Sequence, residues 1–440
     1  MNKLSPAPDW PFSIKRLPFF YGWIIWFVST LGFLFSIPGQ TMGLAVFTDP
    51  LIEALGLSRT QLSLAYLLGT VGSSLMLTRA GRWYDRMGGR VITTLASVAL
   101  AVMLIFISST EVLMKLLGGG AGTAFILIML GYFGVRFFGQ GVLTSASRNV
   151  LLLWFEKRRG LVSSARGVFV SLGFSLAPLG LAWLIASAGW YRSLWWLALG
   201  CVGFAVIAYI FLRDNPTDCG VHIDGAASSQ LGSKNSEPYS ANLEQARRSP
   251  VFWIFALSLS IHALFGTAVT FHIVSVFAEA GRSQAEAFGY FLPMAIASTS
   301  INLLAGWMAD SRRLKPFLIA MLLGFIGGAW GLLHLETQWG YWLLVAGFGG
   351  AGGLWSVLSN LAFIRNFGAM HLGEISGLCT SAMVFGSAIG PALFSVGLDL
   401  SGSYAAAEWI CLSGLFVLLV AAVIIPHQHE QIPKKIPVKY

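Results

Sequence analysis

Charged side chains are scarce in this chain. Asp, Glu, Lys and Arg make up 11% of its 440 residues, whereas soluble domains contain about 25%. The mean hydropathy is +0.72, and apolar runs of about 20 residues, enough to cross the core of a bilayer, recur along the whole chain. The composition therefore excludes a water-soluble protein. Because lipid offers the backbone no hydrogen-bond partners, each apolar run is predicted to be an α-helix.

Sequence patterns for disulfides, metal sites and catalysis are also lacking. The chain has four cysteines and no CxxC. Cys201, Cys379 and Cys411 lie in apolar runs and Cys219 lies in a polar segment, so we expect packing residues rather than disulfides or metal ligands. The sequence contains no HExxH, no GxSxG and no clustered carboxylates, and a membrane enzyme would need such groups at one depth. We predict neither an enzyme nor a bound cofactor or metal ion.

Twelve apolar runs are separated by polar segments and are predicted to be transmembrane helices. Their approximate bounds are 20–47, 58–80, 91–110, 121–154, 158–187, 190–212, 250–279, 284–308, 314–335, 339–366, 372–400 and 403–425. An even number of spans places both termini on one side of the membrane. That side carries 22 lysines and arginines and the other side carries four, so the positive-inside rule predicts cytoplasmic termini. The net charge of +9 then reflects orientation in the cell membrane and does not indicate nucleic-acid binding.

One long polar segment, residues 213–249, interrupts the apolar runs. It mixes Pro, Ser, Gly, Asn and charged residues without an apolar period, which is typical of a flexible linker. The predicted organisation is a cytoplasmic tail at 1–19, a six-helix bundle at 20–212, this cytoplasmic linker, a second six-helix bundle at 250–425 and a cytoplasmic tail at 426–440.

Two pairs of segments indicate an internal repeat. The first pair is GRWYDRMGGR at 81–90 and GWMADSRRLK at 306–315, in which a glycine and an aspartate recur at the same positions of the segment. The second pair is GFSLAP at 173–178 and GSAIGP at 386–391, which share a glycine and a proline. The repeat predicts an all-α membrane protein with two pseudo-symmetric six-helix bundles. Transporters with such repeats bind substrate near the interface between the two halves.

The first pair of segments resembles the loop motif of the major facilitator superfamily and its weaker second copy. RFFGQG at 136–141 resembles the motif in the fourth helix of that family, and Arg158, Arg159 and Gly160 resemble the basic edge that leads into its fifth helix. FYGWIIW at 20–26 and WFEKRRG at 154–160 are similar to bacterial monocarboxylate porters and oxalate–formate exchangers. The resemblance implies the major facilitator fold and a secondary transporter that works by alternating access.

The resemblance also implies a conformational latch. In this family the aspartate at position 85 would brace against the eleventh helix or its positive N-terminal end in one conformation and release it in the other; a helix N-terminus carries roughly half a positive charge. The predicted latch residues are Gly81, Asp85, Arg86, Gly88, Arg90, Gly306, Asp310 and Arg313. An alternative is that the arginines only set the topology of the chain.

Arg136 is the most conspicuous candidate for substrate binding. It lies near the middle of the fourth predicted span, where an arginine costs roughly 2.5–3.5 kcal/mol on insertion scales. Gln140 lies one turn further on the same face. None of the 19 aspartates and glutamates falls near the middle of a span, and a cavity with an arginine and no carboxylate complements an anion. The alternative is a structural arginine that bonds carbonyl groups or a neighbouring helix.

Other polar groups at mid-span complete the predicted site. The substrate-binding candidates are Arg136, Gln140, Gln40, His262, Asn302 and Asn360. Polar side chains between helices can also be packing contacts worth about 0.6 kcal/mol each, and a histidine near neutral pH could carry a coupling proton. The monocarboxylate branch often has an arginine in helix 8, where this chain has Asn302.

These residues predict a monomeric transporter of a small organic anion, with a monocarboxylate favoured by the resemblance. A coupling proton or an exchanged anion is the expected second partner. The alternative is an efflux pump for hydrophobic or amphipathic compounds, because the chain has 16 tryptophans and 32 phenylalanines that could line an apolar cavity. Most of these aromatic residues are expected to face lipid or the membrane interface.

Overall fold

The computed structural model describes residues 7, 10–225, 240–425 and 430. The predicted linker therefore lies outside the described residues between 226 and 239, as does the predicted C-terminal tail except at Glu430. The described chain is built of helices and contains no strand. This confirms the predicted all-helical class.

The described residues form eighteen α-helices, and some consecutive helices together make up one longer helical stretch. They are α1 Gly22–Phe35, α2 Thr41–Ala45, α3 Thr48–Leu55, α4 Arg59–Met87, α5 Gly89–Ser108, α6 Thr110–Leu116, α7 Ala121–Val135, α8 Thr144–Trp154, α9 Arg159–Ala188, α10 Trp190–Phe211, α11 Leu243–Arg248, α12 Pro250–Glu279, α13 Gln284–Gly289, α14 Phe291–Ala309, α15 Lys315–Leu333, α16 Gln338–Phe367, α17 Leu372–Ser401 and α18 Ala405–Ile424. Short 3₁₀ turns occupy Ile14–Arg16, Ile37–Gly39 and Ile223–Gly225, and a π-helical segment, Arg136–Leu143, joins α7 to α8.

Eleven helical stretches within the described residues are long and apolar enough to cross a membrane. They coincide with eleven of the twelve predicted spans. The remaining predicted span, the second, corresponds to α4, which forms a continuous helix of 29 residues. Its lower hydropathy reflects several hydroxyl groups along the helix and the charged residues near its end. The protein is a multi-pass helical membrane protein.

The structure corrects two local expectations. The first predicted span is not one continuous helix, because α1 ends at Phe35 and a 3₁₀ turn containing Pro38 follows; proline lacks the N–H that a continuing helix would need. The predicted linker is also partly folded. Its residues Asn242 and Gln245 form a capping box that starts α11. Cys219, in the same polar segment, is buried, as expected of a packing residue.

Backbone contacts divide the chain into two compact units. Unit 1 comprises Met1–Glu156, Val168–Glu237 and Leu372–Ser381, and unit 2 comprises Lys157–Gly167, Pro238–His371 and Ala382–Tyr440. The first turns of α17 thus belong to unit 1, and the first turns of α9 belong to unit 2. Inside unit 1, α5 packs along α10, and the Ser97 hydroxyl donates to the Cys201 carbonyl at 2.7 Å. Inside unit 2, α15 and α14 pack along α16, and the rings of Phe325 and Phe348 stack with centroids 4.5 Å apart.

The 3₁₀ turn at Ile37–Gly39 meets the π-helical segment backbone to backbone. A Cβ atom added to Gly39 would lie 2.8 Å from the Cα of Gly139 and closer still to the carbonyl oxygen of Val135. Gly39 is therefore required here for lack of space, since its neighbours are backbone atoms that cannot rotate away.

Gly39→Ala is expected to destabilise the protein by about 1–3 kcal/mol, the usual cost of overpacking a tight contact. The measurement is the midpoint of thermal unfolding of the purified protein in detergent. Gly180→Ala is the matched control, because a Cβ atom at this helical glycine would meet open space, and alanine is favoured over glycine in a helix. An unchanged midpoint in Gly39→Ala would show that the two segments are not in close contact.

Candidate functional site

Arg136 begins the π-helical segment of unit 1. Single π-helical turns inside α-helices frequently occur at functional sites. The Arg136 side chain is 1% exposed, and its Nη1 atom donates to the Gly39 carbonyl at 3.3 Å and to Thr41 Oγ1 at 3.2 Å. The Pro38–Gly39 turn, which ends α1, exposes the backbone carbonyl that accepts this bond. The π-helical segment carries Arg136, and the turn that interrupts the first span supplies the acceptors of its hydrogen bonds. Together the two segments fix the position of the guanidinium.

The other edge of the Arg136 guanidinium has no hydrogen-bond partner. Nε and Nη2 are both buried and unpartnered among the described residues. The guanidinium carbon lies 5.2 Å from the centre of the Tyr66 ring, and the Tyr66 hydroxyl is 2.8 Å from Thr41 Oγ1. No carboxylate in the described part of the chain forms an ion pair with Arg136. A buried donor without a partner carries a substantial desolvation cost.

Two predicted glutamines lie near this arginine in unit 1. Gln140 has a buried Oε1 atom without a hydrogen-bond partner among the described residues. Gln40 lies between the two residues that Arg136 contacts, and its Nε2 donates to Ser36 Oγ at 3.0 Å. Unit 1 therefore brings three of the six substrate-binding candidates together. Sequence reasoning missed Thr41 and Tyr66. The Pro38–Gly39 break was a local signal for Thr41, whereas Tyr66, inside α4, had none.

His262 lies in an aromatic cluster of unit 2. Its ring stacks on Trp355 at a centroid distance of 5.1 Å and an interplanar angle of 17°, and lies 4.7 Å from Phe325. Gly352 leaves space beside it, because a Cβ atom there would be 3.8 Å from His262 Nε2 and 3.3 Å from Ser298 Oγ. The ring thus has aromatic neighbours on α15 and α16.

The two predicted asparagines belong to another polar group of unit 2. Asn360 accepts from Arg166 Nη2 at 2.7 Å and donates to the Ser356 carbonyl at 2.6 Å. Asn302 donates to the Ser164 carbonyl at 3.3 Å, while its Oδ1 is buried without a hydrogen-bond partner among the described residues. Both asparagines therefore anchor the start of α9 to its neighbours in unit 2. Arg166, which is 3% exposed, was not among the predicted binding residues.

Asp85 binds the start of α17 within unit 1. Its Oδ1 accepts from the Gly373 N–H at 2.7 Å and its Oδ2 from the Glu374 N–H at 2.8 Å. Arg82 Nε lies 3.3 Å from Glu374 Oε2 and adds an ion pair. Gly81 is needed for this approach, because a Cβ atom there would collide with the Gly373 backbone. The carboxylate therefore satisfies two N–H groups that a helix leaves open at its start.

Asp310 makes the equivalent contact within unit 2. Its Oδ1 accepts from the Gly160 N–H at 2.6 Å and its Oδ2 from the Leu161 N–H at 3.1 Å, at the start of α9. A Cβ atom on Gly306 would collide with the Ser164 side chain and lie 2.8 Å from the Gly160 carbonyl. Arg365, buried at 1% exposure, approaches Asp310 Oδ1 to 4.0 Å. Both copies of the repeated segment therefore hold a helix N-terminus.

The remaining predicted latch residues have different surroundings. Gly88 ends α4 with a φ of 83°, a backbone conformation that favours glycine. Arg90 is buried, and its Nε and Nη2 donate to the carbonyls of Tyr209 at 2.6 Å and Trp10 at 2.9 Å. Arg90 therefore fixes the end of α10 in unit 1. Arg86 and Arg313 are exposed.

A family model decides the relationship of this chain to known proteins. The model described as Major Facilitator Superfamily matches residues 28–391. The chain belongs to the Major Facilitator Superfamily. It is therefore a membrane transporter of a small molecule and not an enzyme. The predicted superfamily membership and fold are confirmed.

Solved structures of major facilitator transporters share the fold. A double Trp mutant of XylE matches with a TM-score of 0.71 and 16% identity, covering 94% of this chain and 97% of that one. FucP in an outward conformation matches with a TM-score of 0.65 and 16% identity, covering 92% and 99%. The human organic anion transporter MFSD10 matches with a TM-score of 0.61 and 15% identity, covering 92% and 100%.

One curated relative is similar in sequence. It is an uncharacterized 38 kDa protein in the 23S RNA operon of Thermoproteus tenax, 25% identical over 397 residues that cover 89% of this chain and 90% of the relative. The solved structures establish the fold, and the family model establishes the superfamily. The substrate has to be argued from the residues of this chain.

Proposed function

We propose that this major facilitator protein transports a small organic anion, most favourably a monocarboxylate, by alternating access. The observation that carries the proposal is the unpartnered edge of Arg136. Its Nη1 is held by Gly39 and Thr41, whereas Nε and Nη2 are buried without a hydrogen-bond partner among the described residues. These two nitrogens lie side by side on one edge of the guanidinium, and parallel N–H groups of this kind bind the two oxygens of a carboxylate.

Charge supports the same conclusion. Arg136 is 1% exposed and has no carboxylate partner among the described residues. Burying a charge without a partner costs free energy. An anion that binds beside Arg136 would supply the missing partner, and the electrostatic attraction would stabilise the bound state. The guanidinium is held in place before the substrate binds. It contacts the ring of Tyr66 and donates a hydrogen bond to the 3₁₀ turn. Arginine suits this task better than lysine because its fork is planar and rigid.

The proposal also includes the other predicted binding residues, the domain organisation, the oligomeric state and the orientation in the membrane. Gln140, Gln40, His262, Asn302 and Asn360 are proposed to contribute to substrate binding. The proposed domains are the two bundles at 20–212 and 250–425 joined by the linker. The proposed protein is a monomer in the cell membrane with both termini in the cytoplasm, an orientation that rests on the basic segments.

The two aspartate contacts are proposed to work as the latches of alternating access. Each carboxylate binds two N–H groups at the start of a long helix. Charge-assisted hydrogen bonds of this kind contribute about 1.5–3 kcal/mol each. Release of a contact during transport would therefore need compensating interactions in the other conformation.

The proposal predicts saturable uptake of short monocarboxylates by the purified protein in liposomes. Radiolabelled formate, lactate and pyruvate are the probes, oxalate tests the dicarboxylate, and the amide of lactate is the neutral control of matched shape. Each is measured with and without a pH gradient. We expect flux of the carboxylates and none of the amide, because only an ionised carboxylate fills both free N–H positions of Arg136.

The opposite result would identify a different transporter. Absence of carboxylate flux together with transport of amphipathic dyes would overturn the anion proposal in favour of efflux of hydrophobic compounds. Stimulation by an imposed pH gradient would identify proton coupling, and stimulation by unlabelled anion on the other side would identify exchange.

A further inference from the structure

Arg148 is a second arginine of unit 1 that has no acidic partner among the described residues. It lies in α8, which continues from the π-helical segment that carries Arg136. Its Nη2 atom donates to Thr380 Oγ1 at 3.3 Å, and this is its only hydrogen bond within the described residues. The side chain is only partly buried, so its remaining N–H groups are accessible to a ligand. The function proposed above does not use this arginine.

Thr380 orients the guanidinium of Arg148. The Thr380 hydroxyl donates to the Ser376 carbonyl at 2.8 Å, so its oxygen is left to accept from the arginine. One residue further along α8, Asn149 Nδ2 donates to Ser376 Oγ at 3.1 Å. Both bonds join α8 to the first turns of α17 inside unit 1. The guanidinium is therefore held by a side chain of a neighbouring helix rather than by a loop.

The polar groups of this contact do not balance the charge of Arg148. The hydroxyls of Ser376 and Thr380 and the amide of Asn149 are uncharged, and no acidic side chain of the described chain forms an ion pair with the arginine. Arg365 differs, because it lies within 4.0 Å of two carboxylates. A partly buried cation without a counter-ion attracts anions. The accessible N–H groups of Arg148 are therefore suited to bind one.

We propose that Arg148 forms a second binding site for a small carboxylate, separate from the site at Arg136. The two arginines are 12 positions apart in the chain, which is roughly 15–18 Å along a helix axis. This separation is well beyond the length of an anion such as formate. On the predicted orientation α8 runs towards the cytoplasm, so Arg148 is the inner of the two sites and raises the local concentration of anions there.

The proposal rests on the proposed function only for the chemical class of the ligand. The test measures how far formate raises the midpoint of thermal unfolding of the purified protein in detergent, because a ligand that binds the native state stabilises it. It compares the wild type with Arg136→Gln, Arg148→Gln and the double variant. The ionic strength is held constant with the salt of a bulky sulfonate, and formamide is the neutral control of matched shape. Arg192→Gln is the control variant, because Arg192 is exposed.

We expect formate, but not formamide, to raise the midpoint of the wild type by a few degrees. The rise should be complete in Arg192→Gln, smaller in each of the other single variants and absent in the double variant. Thr380→Val keeps the charge of Arg148 and removes the acceptor that orients it. It should therefore reduce the rise that remains in Arg136→Gln, which tests the site even if Arg148→Gln does not fold.

The variants distinguish the failure of this proposal from the failure of the proposed function. A rise that is lost completely in Arg136→Gln, or that is undiminished in Arg148→Gln, would overturn the Arg148 site. Absence of any rise in the wild type would overturn it as well, whereas the proposed function is judged separately by uptake in liposomes. A rise that persists in full in Arg136→Gln and is lost in Arg148→Gln would support the Arg148 site and contradict binding at Arg136.

Discussion

Arg136→Gln is expected to lower carboxylate uptake by about 100-fold or more at low substrate concentration. The substitution removes the two unpartnered donors, Nε and Nη2, that are proposed to hold the substrate. Hydrogen bonds to charged groups contribute about 1.5–3 kcal/mol each, so two of them amount to at least about 3 kcal/mol. Since each 1.4 kcal/mol is about tenfold in affinity, the main effect should be on KM. The measurement is the initial uptake rate in proteoliposomes over a range of substrate concentrations.

Arg136→Lys separates the charge from the geometry of the guanidinium. Lysine keeps the positive charge but loses the planar fork, so we expect weaker binding than in the wild type and stronger binding than in Arg136→Gln. Arg192→Gln is the control, because Arg192 is exposed and rests on the ring of its neighbour Tyr191. Unchanged carboxylate uptake in a folded Arg136→Gln would assign Arg136 a structural role only.

Asp85→Asn is expected to slow transport strongly and to loosen the start of α17. The neutral amide offers one acceptor oxygen where the carboxylate offers two, so the bonds from the N–H groups of Gly373 and Glu374 cannot both persist. A loss of about 3 kcal/mol, estimated from two charge-assisted bonds, changes a two-state population by roughly 100-fold. Ser376, 3% exposed below this contact, provides the reporter. We expect Ser376→Cys to react with a thiol reagent about 10- to 100-fold faster when Asp85→Asn is also present.

The control for this experiment lies in the second copy of the motif. The native cysteines Cys201, Cys219, Cys379 and Cys411 are all buried, so the background of labelling should be low. Asp310→Asn should slow transport as well, because it leaves one acceptor oxygen for the Gly160 and Leu161 N–H groups, but it should change Ser376→Cys labelling less. Equal labelling with and without Asp85→Asn would show that the carboxylate does not hold the start of α17.

Hydrophobic periodicity and charge distribution predicted the helical architecture, because every residue within the membrane must form its backbone hydrogen bonds inside the protein. Eleven predicted spans match the apolar helices closely, since an uncapped or non-helical backbone has no partner in lipid. The exceptions have local physical causes. Pro38 breaks the first span, and the many hydroxyl groups of α4 lower its hydropathy without preventing a helix.

The candidate site could be predicted only in part. Arg136 was recognisable because an arginine at mid-span is rare, but the direction of its guanidinium was not. That direction depends on the Gly39 carbonyl and on Thr41, which become neighbours only after the 3₁₀ turn and the π-helical segment have met.

For the two proposed latches, the resemblance implied the eleventh helix or its N-terminal end as the partner of Asp85, but the individual residues that the aspartates bind required the structure. The repeated aspartates were visible in the sequence, but the glycines that they bind, Gly160 and Gly373, were not recognised as their partners. These two glycines are separated by the same interval as Gly173 and Gly386, which open the two copies of the second repeat. The two repeats were visible separately. The sequence does not show that the aspartates of the first repeat bind the helices that carry the second repeat. That contact arises only when helices distant in the chain pack together.

Neither half of the sequence contains both partners of a proposed latch. Asp85 precedes the linker and its partner Gly373 follows it, whereas Asp310 follows the linker and its partner Gly160 precedes it. If the two halves were separate polypeptides of six helices, each would carry one aspartate carboxylate and one helix N-terminus. The carboxylate of each polypeptide would then bind the N–H groups of the other. This reciprocity is typical of a two-fold symmetric dimer. Joining the halves covalently turns an encounter between molecules into one within a molecule.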